Sequence, residues 1–243
     1  MNDNKFEDLE SLPVPSGSLG GGAQASTSTE IPKVSFLSPS SWISFLQAMF
    51  DVSTADVLDR LMLAVKPYKL LKDGQQNILL SKPDLYGPFW IATSAIIAMT
   101  GAANIERLFV SGYSYTDYSL LLTASWFMYG SLAAVPLVAF LVAWILRRQG
   151  ETTNVELNYA HLVCMYGYSN LGLIPMSVIC VIPVSLLQQL SLALGGANSG
   201  VFIVANLWKH MPVSRLRFGV VGAALLCQAI TYLAFFYVFL SPT

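Results

Sequence analysis

Five long apolar stretches fill the last two thirds of this chain and constrain its fold more than any other feature. A helix needs about 20 mostly apolar residues to cross a hydrocarbon core of about 30 Å. Lipid offers the backbone no hydrogen bonds, so a stretch that crosses it on its own must be helical. The predicted spans are Pro88 to Ile105, Ser119 to Leu146, Tyr159 to Ile182, Leu186 to Leu207, and Phe218 to Leu240. The sequence therefore predicts an all-α, polytopic membrane protein with five transmembrane helices.

The distribution of positive charge predicts the orientation of these spans. Charged residues make up only 11% of the 243 residues, against about 25% in soluble domains. Near the span ends, only Arg107 lies on one predicted side of the membrane. The opposite side carries Lys66, Lys69, Lys72, Lys82, Arg147, Arg148, Lys209, Arg215 and Arg217. Because positive residues are retained in the cytoplasm, we expect a cytosolic amino terminus and a lumenal carboxyl terminus.

The region before the spans divides into two parts. Residues 1–38 are rich in Ser, Gly and Pro and bury too little apolar surface to fold, which predicts a disordered cytosolic tail. Residues 39–83 carry apolar side chains at helical spacing on both sides of a break from Asp51 to Thr54, which predicts two cytosolic amphipathic helices. Ser53 or Thr54 is expected to cap the second helix, and Pro67 to end it. Residues 84–243 form the five-span domain.

The apolar stripe of the second amphipathic helix has two interpretations. It consists of Val57, Leu58, Leu61, Met62 and Val65. The stripe either packs on the membrane domain or forms a cytosolic docking face for a partner protein.

Several classes of function find no support in the residues. A net charge of −1 gives no basic surface for nucleic acid. The three cysteines lie inside apolar stretches without the spacing of metal ligands, so neither a metal site nor a cofactor is expected. His161 and Ser169 are about 12 Å apart along a helix, too far for a serine–histidine couple. We expect no enzyme. The charged residues near the spans are predicted to be solvated at or beyond the span ends: Asp84, Glu106, Arg107, Asp117, Glu151 and Glu156.

Small and amide residues inside the spans leave alternatives open. Gly196 and Gly200 form a G-x-x-x-G pair that predicts close helix packing, within the chain or in a dimer. Amides of the fourth span either bond to neighbouring helices or line a polar path, and the second reading gives the alternative of a small-solute channel or transporter. These amides are Gln188, Gln189, Asn198 and Asn206. The short link at Pro183 predicts a tight hairpin, and a bilayer-shaping protein is a third hypothesis.

Two short motifs carry a resemblance to a known family. The first, D-L-Y-G-P, runs from Asp84 to Pro88 at the entrance to the first span, and the second, Y-G-Y-S, runs from Tyr166 to Ser169 in the third. Both closely resemble motifs of the YIP family, the Ypt/Rab-interacting membrane proteins of the early secretory pathway. The resemblance extends to Phe50-Asp51-Val52 and Asp59-Arg60, and covers residue 42 to the end. The chain departs from the family at Asn104, which is expected to interrupt the first span early.

The resemblance implies a function and a set of residues. The implied function is a non-enzymatic membrane adaptor in vesicle-mediated transport between the endoplasmic reticulum, the Golgi and endosomes. Rab/Ypt small GTPases and other YIP-family membrane proteins are the implied partners, the latter in homo- or hetero-oligomers. The implied partner-binding residues are Phe50, Asp51, Asp59, Arg60, Asp84, Tyr86, Gly87 and Pro88. The motif of the third span comprises Tyr166, Gly167, Tyr168 and Ser169.

Overall fold

Five helices that are long and apolar enough to cross a membrane form the body of the protein. The computed structural model describes residues 39–72, 82–111, 118–150, 158–211 and 215–240, and within these ranges the chain is helical without β-strands. The predicted tail, residues 1–38, lies outside the described residues. Three helices precede the spans: α1 (Pro39–Phe50), α2 (Thr54–Val65) and α3 (Tyr68–Lys72). The all-α, five-span prediction is confirmed.

The spans match the predicted apolar stretches in order and approximate length. The first is α4 (Tyr86–Ser111) and the second α5 (Tyr118–Arg148). The third consists of α6 (Tyr159–Ser169) and α7 (Leu173–Ile179), separated by a 3₁₀ turn. The fourth is α8 (Ser185–His210), and the fifth is α9 (Arg215–Phe235) with a π-helical turn at Phe236–Leu240.

The first span is longer than predicted. Helix α4 continues through Asn104 to Ser111, so the expectation of an early interruption was wrong. The Asn104 side-chain amide donates to the carbonyl of Thr100 one turn earlier, at 2.9 Å, and this bond satisfies the amide within the helix. Glu106 and Arg107 consequently lie inside α4 rather than beyond its end.

A 3₁₀ turn at Asn170–Gly172 breaks the third span just before Pro175. Proline lacks an N–H for the carbonyl four residues earlier, and its ring crowds that carbonyl. Helix α7 then ends at Ile179, three residues before the predicted end. The side chain of Gln188 in α8 donates to the carbonyls of Cys180 and Ile182, at 3.1 and 3.3 Å, and so satisfies the end of this span.

Buried apolar side chains form two clusters. One joins Leu63 of α2 to residues of α5, α6, α8 and α9, including Leu162 and Phe202. The other joins α4, the first half of α5, α7 and the end of the fifth span, including Met99 and Met128. Helix α2 therefore shares a core with the spans.

The predicted cytosolic ends of α5, α8 and α9 meet at one end of the bundle. A Cβ on Gly219, near the start of α9, would lie 2.6 Å from Leu146 near the end of α5. In this region the Arg148 guanidinium lies over the Trp144 ring at 4.0 Å, and Arg217 lies over Trp208 at 3.9 Å. Arginine stacked on tryptophan is suited to a membrane interface, where an apolar stem and a charged head are both accommodated.

We predict that Gly195→Ala destabilises the protein. A Cβ at this position in α8 would overlap the sulfur of Met176 in α7, and forced repacking of this kind costs about 1–3 kcal/mol. The matched control is Gly130→Ala in α5, where a Cβ meets no described atom within 4 Å. Thermal unfolding in detergent compares the stability of both variants with that of the wild type. Equal stabilities for the two would contradict the close packing of α7 on α8.

Candidate functional site

The two sequence motifs meet where α4 begins and α6 passes it. A Cβ on Gly87 would overlap the Tyr168 hydroxyl, and a Cβ on Gly167 would overlap the Pro88 ring. Each motif thus supplies a glycine at the point where the other supplies a bulky side chain. The motifs fit each other, which gives both of them a role in packing.

The Asp84 carboxylate lies at the centre of this contact. It is 0% exposed. It forms an ion pair with the Arg60 guanidinium and accepts the backbone N–H of Gly87 at 2.8 Å, which caps α4. The Tyr168 hydroxyl donates to it at 3.3 Å, and the Cys164 thiol at 3.6 Å. We call Arg60, Asp84, Gly87, Cys164 and Tyr168 the entrance clamp.

Helix α2 brings Arg60 to the carboxylate. The Ser53 hydroxyl caps this helix by accepting the backbone N–H of Asp56 at 3.2 Å, as predicted. Arg60 is 1% exposed, and its second terminal nitrogen donates to the Lys82 carbonyl at 2.7 Å. The buried face of α2 consists of Arg60, Leu63 and Ala64.

The expectation that water solvates Asp84 was wrong. Transferring a charge out of water costs several kcal/mol per ion, and a buried pair offsets this only when its hydrogen bonds are well satisfied. In the entrance clamp, one opposite charge and three further donors meet one carboxylate. Removing either ion would leave the other buried and unpaired.

Further bonds hold the preceding helices in place. The Asn198 side chain in α8 donates to the carbonyl of Ala64 at 3.0 Å, near the end of α2. This bond joins the end of α2 to α8. At the end of α1, the Leu85 N–H donates to the Met49 carbonyl at 3.0 Å, and the Lys82 ammonium donates to the Asp51 carbonyl at 3.1 Å.

The outward side of α2 is apolar and exposed. Leu58, Met62 and Val65 are 53%, 64% and 56% exposed, and together we call them the α2 face. Their spacing of four and three residues places them on one side of the helix, and the exposed Asp59 and Lys66 lie beside them. Of the predicted stripe, only Val57 and Leu61 are half-buried.

The structure separates the predicted partner-binding residues into two groups. Phe50, Asp51, Asp59 and Tyr86 are exposed. Arg60, Asp84, Gly87 and Pro88 are buried. The Phe50 ring packs edge-on against the rings of Tyr86 and Phe89, with centroids 6.5 and 6.3 Å apart. In this structure, only the exposed residues are accessible to a partner protein.

The motif of the third span is buried throughout. The Tyr166 hydroxyl lies 3.3 Å from that of Thr231 in α9, and the Ser169 hydroxyl donates to the Tyr166 carbonyl at 2.7 Å. These bonds join α6 to α9 and leave Ser169 engaged with its own helix. In the described part of the chain, no group of three His, Cys, Asp or Glu side chains could hold a metal ion.

Sequence reasoning missed the entrance clamp. Arg60 and Asp84 are 24 positions apart, and each alone is ordinary for a cytosolic helix or a span entrance. A signal was present nevertheless, since Arg60 lies within three or four residues of Leu63 and Ala64, on the side of α2 opposite the apolar stripe. A lone charge among core residues requires an opposite charge, and Asp84 directly precedes the first span.

Comparisons with known proteins place this geometry in context. The model of the Yip1 domain matches residues 70–238, a range that contains both motifs. The chain is 27% identical over 188 residues to the protein named "Protein YIPF1 homolog" of Dictyostelium discoideum, covering 76% of this chain and 51% of that protein. It is 31% identical over 173 residues to "Protein YIP5" of Schizosaccharomyces pombe, covering 65% of this chain and 64% of that protein. The chain thus spans about half of the first relative and under two thirds of the second. No solved structure matches it.

We predict that Arg60→Met destabilises the protein by about 3–5 kcal/mol, because Asp84 is left buried and unpaired. Adding Asp84→Asn should recover at least about 1 kcal/mol of this loss, because the amide oxygen still caps α4 without a charge. The control is Asp59→Asn, an exposed neighbour whose change should stay within about 0.5 kcal/mol. The free energy of unfolding in detergent is measured for the wild type, Arg60→Met, the double variant and Asp59→Asn. A double variant less stable than Arg60→Met alone would contradict the ion pair.

Proposed function

We propose that this chain, which belongs to the Yip1 domain family, is a non-enzymatic adaptor for vesicle-mediated transport in membranes of the endoplasmic reticulum, the Golgi and endosomes. Its family and its five spans are consistent with a role in membrane trafficking. We assign the binding of Rab/Ypt small GTPases to the α2 face together with Asp51 and Asp59. The observation that supports this assignment is an exposed apolar helix surface that Asp84 and Asn198 hold in place from the other side of α2.

The composition of the α2 face suits a protein partner. Its three apolar side chains are flanked by the exposed Asp59 and Lys66. An apolar centre with a charged rim is the usual organisation of protein interfaces. Because the entrance clamp and Asn198 fix α2 on its other side, a partner would order few groups on binding. Less ordering leaves more of the interaction energy as affinity.

The orientation of the chain is part of the proposal. It places α1–α3 in the cytosol, where GTPases reside, and the carboxyl terminus in the lumen. The arginines of α5 and α9 lie at one end of the bundle and stack on tryptophans, which supports this end as the cytosolic one. The location in Golgi or endosomal membranes rests on the family.

The transport hypothesis receives less support from the amides that suggested it. Gln188 donates to Glu106 at 2.8 Å and to two carbonyls at the end of the third span. Asn198 donates to Ala64, and Asn206 donates to Phe202 within its own helix. The bonds of Gln188 and Asn198 join different helices, whereas the Asn206 bond lies within α8. We therefore retain the adaptor as the proposed function.

Deleting the first 83 residues would not test the docking face cleanly. That truncation removes Arg60 and leaves Asp84 buried without its ion pair. Loss of binding would then follow from damage to the entrance clamp as readily as from loss of the docking face. Point substitutions at exposed positions avoid this ambiguity.

We predict that Met62→Asp weakens the capture of a GTPase by about tenfold or more, because a charge replaces an apolar group at the centre of the interface. The matched control is Gln47→Asp, which adds the same charge at an exposed position of α1. Detergent-solubilised full-length protein would be immobilised and tested against a panel of purified, prenylated Rab GTPases. The control should bind like the wild type.

Two results would contradict the proposal, and they differ in meaning. Unchanged binding by Met62→Asp would remove the α2 face as the docking surface while leaving the adaptor function in place. Failure of the wild type to bind any member of the panel would remove GTPase binding itself.

A further inference from the structure

Helix α1 carries an exposed apolar surface of its own, separate from the α2 face. Ile43, Leu46 and Phe50 are 58%, 47% and 41% exposed. Their spacing of three and four residues places them on one side of the helix, and together we call them the α1 face. Neighbouring apolar side chains that stay exposed mark a surface for a protein or for a membrane.

Helix α1 has three different sides around its axis, since successive residues of a helix are about 100° apart. Met49 is buried, and Phe45 and Ala48 beside it are half-buried, so this side faces the protein. The α1 face comes next around the axis, and the exposed polar residues Ser44 and Gln47 follow it. A protein side, an apolar side and a polar side are what a helix at a membrane surface requires beside its own domain.

The contacts of Phe50 show the direction in which the α1 face points. Its ring packs edge-on against Tyr86 and Phe89 in the first turn of the first span, with centroids 6.5 and 6.3 Å apart. Leu46 lies one turn before Phe50 on the same side of α1. The α1 face is therefore turned toward the level at which the first span begins.

The side of α4 that Phe50 touches faces lipid. The Trp90 ring packs against the rings of Tyr86 and Phe89, with centroids 6.3 and 5.5 Å apart, and is itself exposed. Ile97, seven residues further on the same side and about 10 Å deeper, is 65% exposed. Helix α4 is a candidate span from Tyr86 onward, so its exposed side lies against the bilayer. Phe50 thus joins an aromatic group at the lipid–water boundary, where Trp and Tyr are enriched.

We propose that α1 lies on the bilayer surface at the amino-terminal end of the first span, with the α1 face inserted between headgroups and acyl chains. Helices of this kind bury their apolar side about 5–10 Å into that boundary. The occupant is lipid rather than a protein because, through Phe50, the α1 face continues the lipid-facing side of α4.

The proposal gives lipid contacts to Phe50 and Tyr86, two residues that the family resemblance implies for partner binding. A helix of 12 residues such as α1 has little stability by itself in water, and insertion of the α1 face would stabilise it. The inference depends neither on GTPase binding at the α2 face nor on which side of the membrane is cytosolic.

Photocrosslinking identifies what covers the α1 face. The photoreactive residue p-benzoylphenylalanine takes the place of Leu46, and the full-length protein is reconstituted into vesicles of phosphatidylcholine and phosphatidylserine with alkyne-tagged acyl chains. On irradiation the ketone abstracts a hydrogen atom from a neighbouring C–H bond, and the two carbon radicals combine. We expect as much tagged lipid on the protein as when the same residue replaces Trp90, and several-fold more than when it replaces Gln47.

Gln47 is the matched control because it is exposed on the polar side of the same helix. All three positions are exposed, so the fold should stay intact, which thermal unfolding of each variant checks. A crosslink from the Leu46 position to a second copy of the chain, seen as a doubled mass, would overturn the proposal. Equal lipid labelling at the Leu46 and Gln47 positions would overturn it as well, as would none at Leu46 when the Trp90 position is labelled. None of these results would bear on GTPase binding at the α2 face.

Discussion

The ion pair between Arg60 and Asp84 is the interaction on which the arrangement of the other described elements depends. One carboxylate both caps the first span and pairs with a guanidinium from a helix outside the five spans. Both groups are almost completely buried, so neither tolerates the loss of the other. The helices around this pair fit closely because of two glycines. At Gly87 or Gly167, any larger side chain would separate α4 from α6.

This constraint gives α2 an inner and an outer side. With Arg60 anchored, α2 turns its Leu63 side into the core and its Met62 side outward. Asn198 of α8 holds the end of α2 on the inner side. The outer side is therefore the part of α2 that is available to a partner without disturbing the entrance clamp.

The sequence predicted the spans well because their signal is the length of an apolar stretch, which needs no tertiary information. The prediction failed where a polar side chain bonds to another part of the protein instead of to water. Asn104 bonds within its own helix, and Asp84 pairs with a residue 24 positions away. The stripe of α2 was visible in sequence, but the direction it faces was not, because Arg60 reverses the usual rule that the charged side is the solvated one.

Hydrogen–deuterium exchange of the wild-type protein in lipid nanodiscs would show whether α2 is a fixed part of the membrane domain. An isolated helix of 12 residues is marginally stable in water, and its amides would exchange almost as fast as those of an unfolded chain. If α2 is fixed, the amides from Val57 to Val65 exchange as slowly as those of the spans packed against them. Exchange of this segment at the rate of an unfolded peptide, while the spans stay protected, would mean that α2 is not held by the membrane domain.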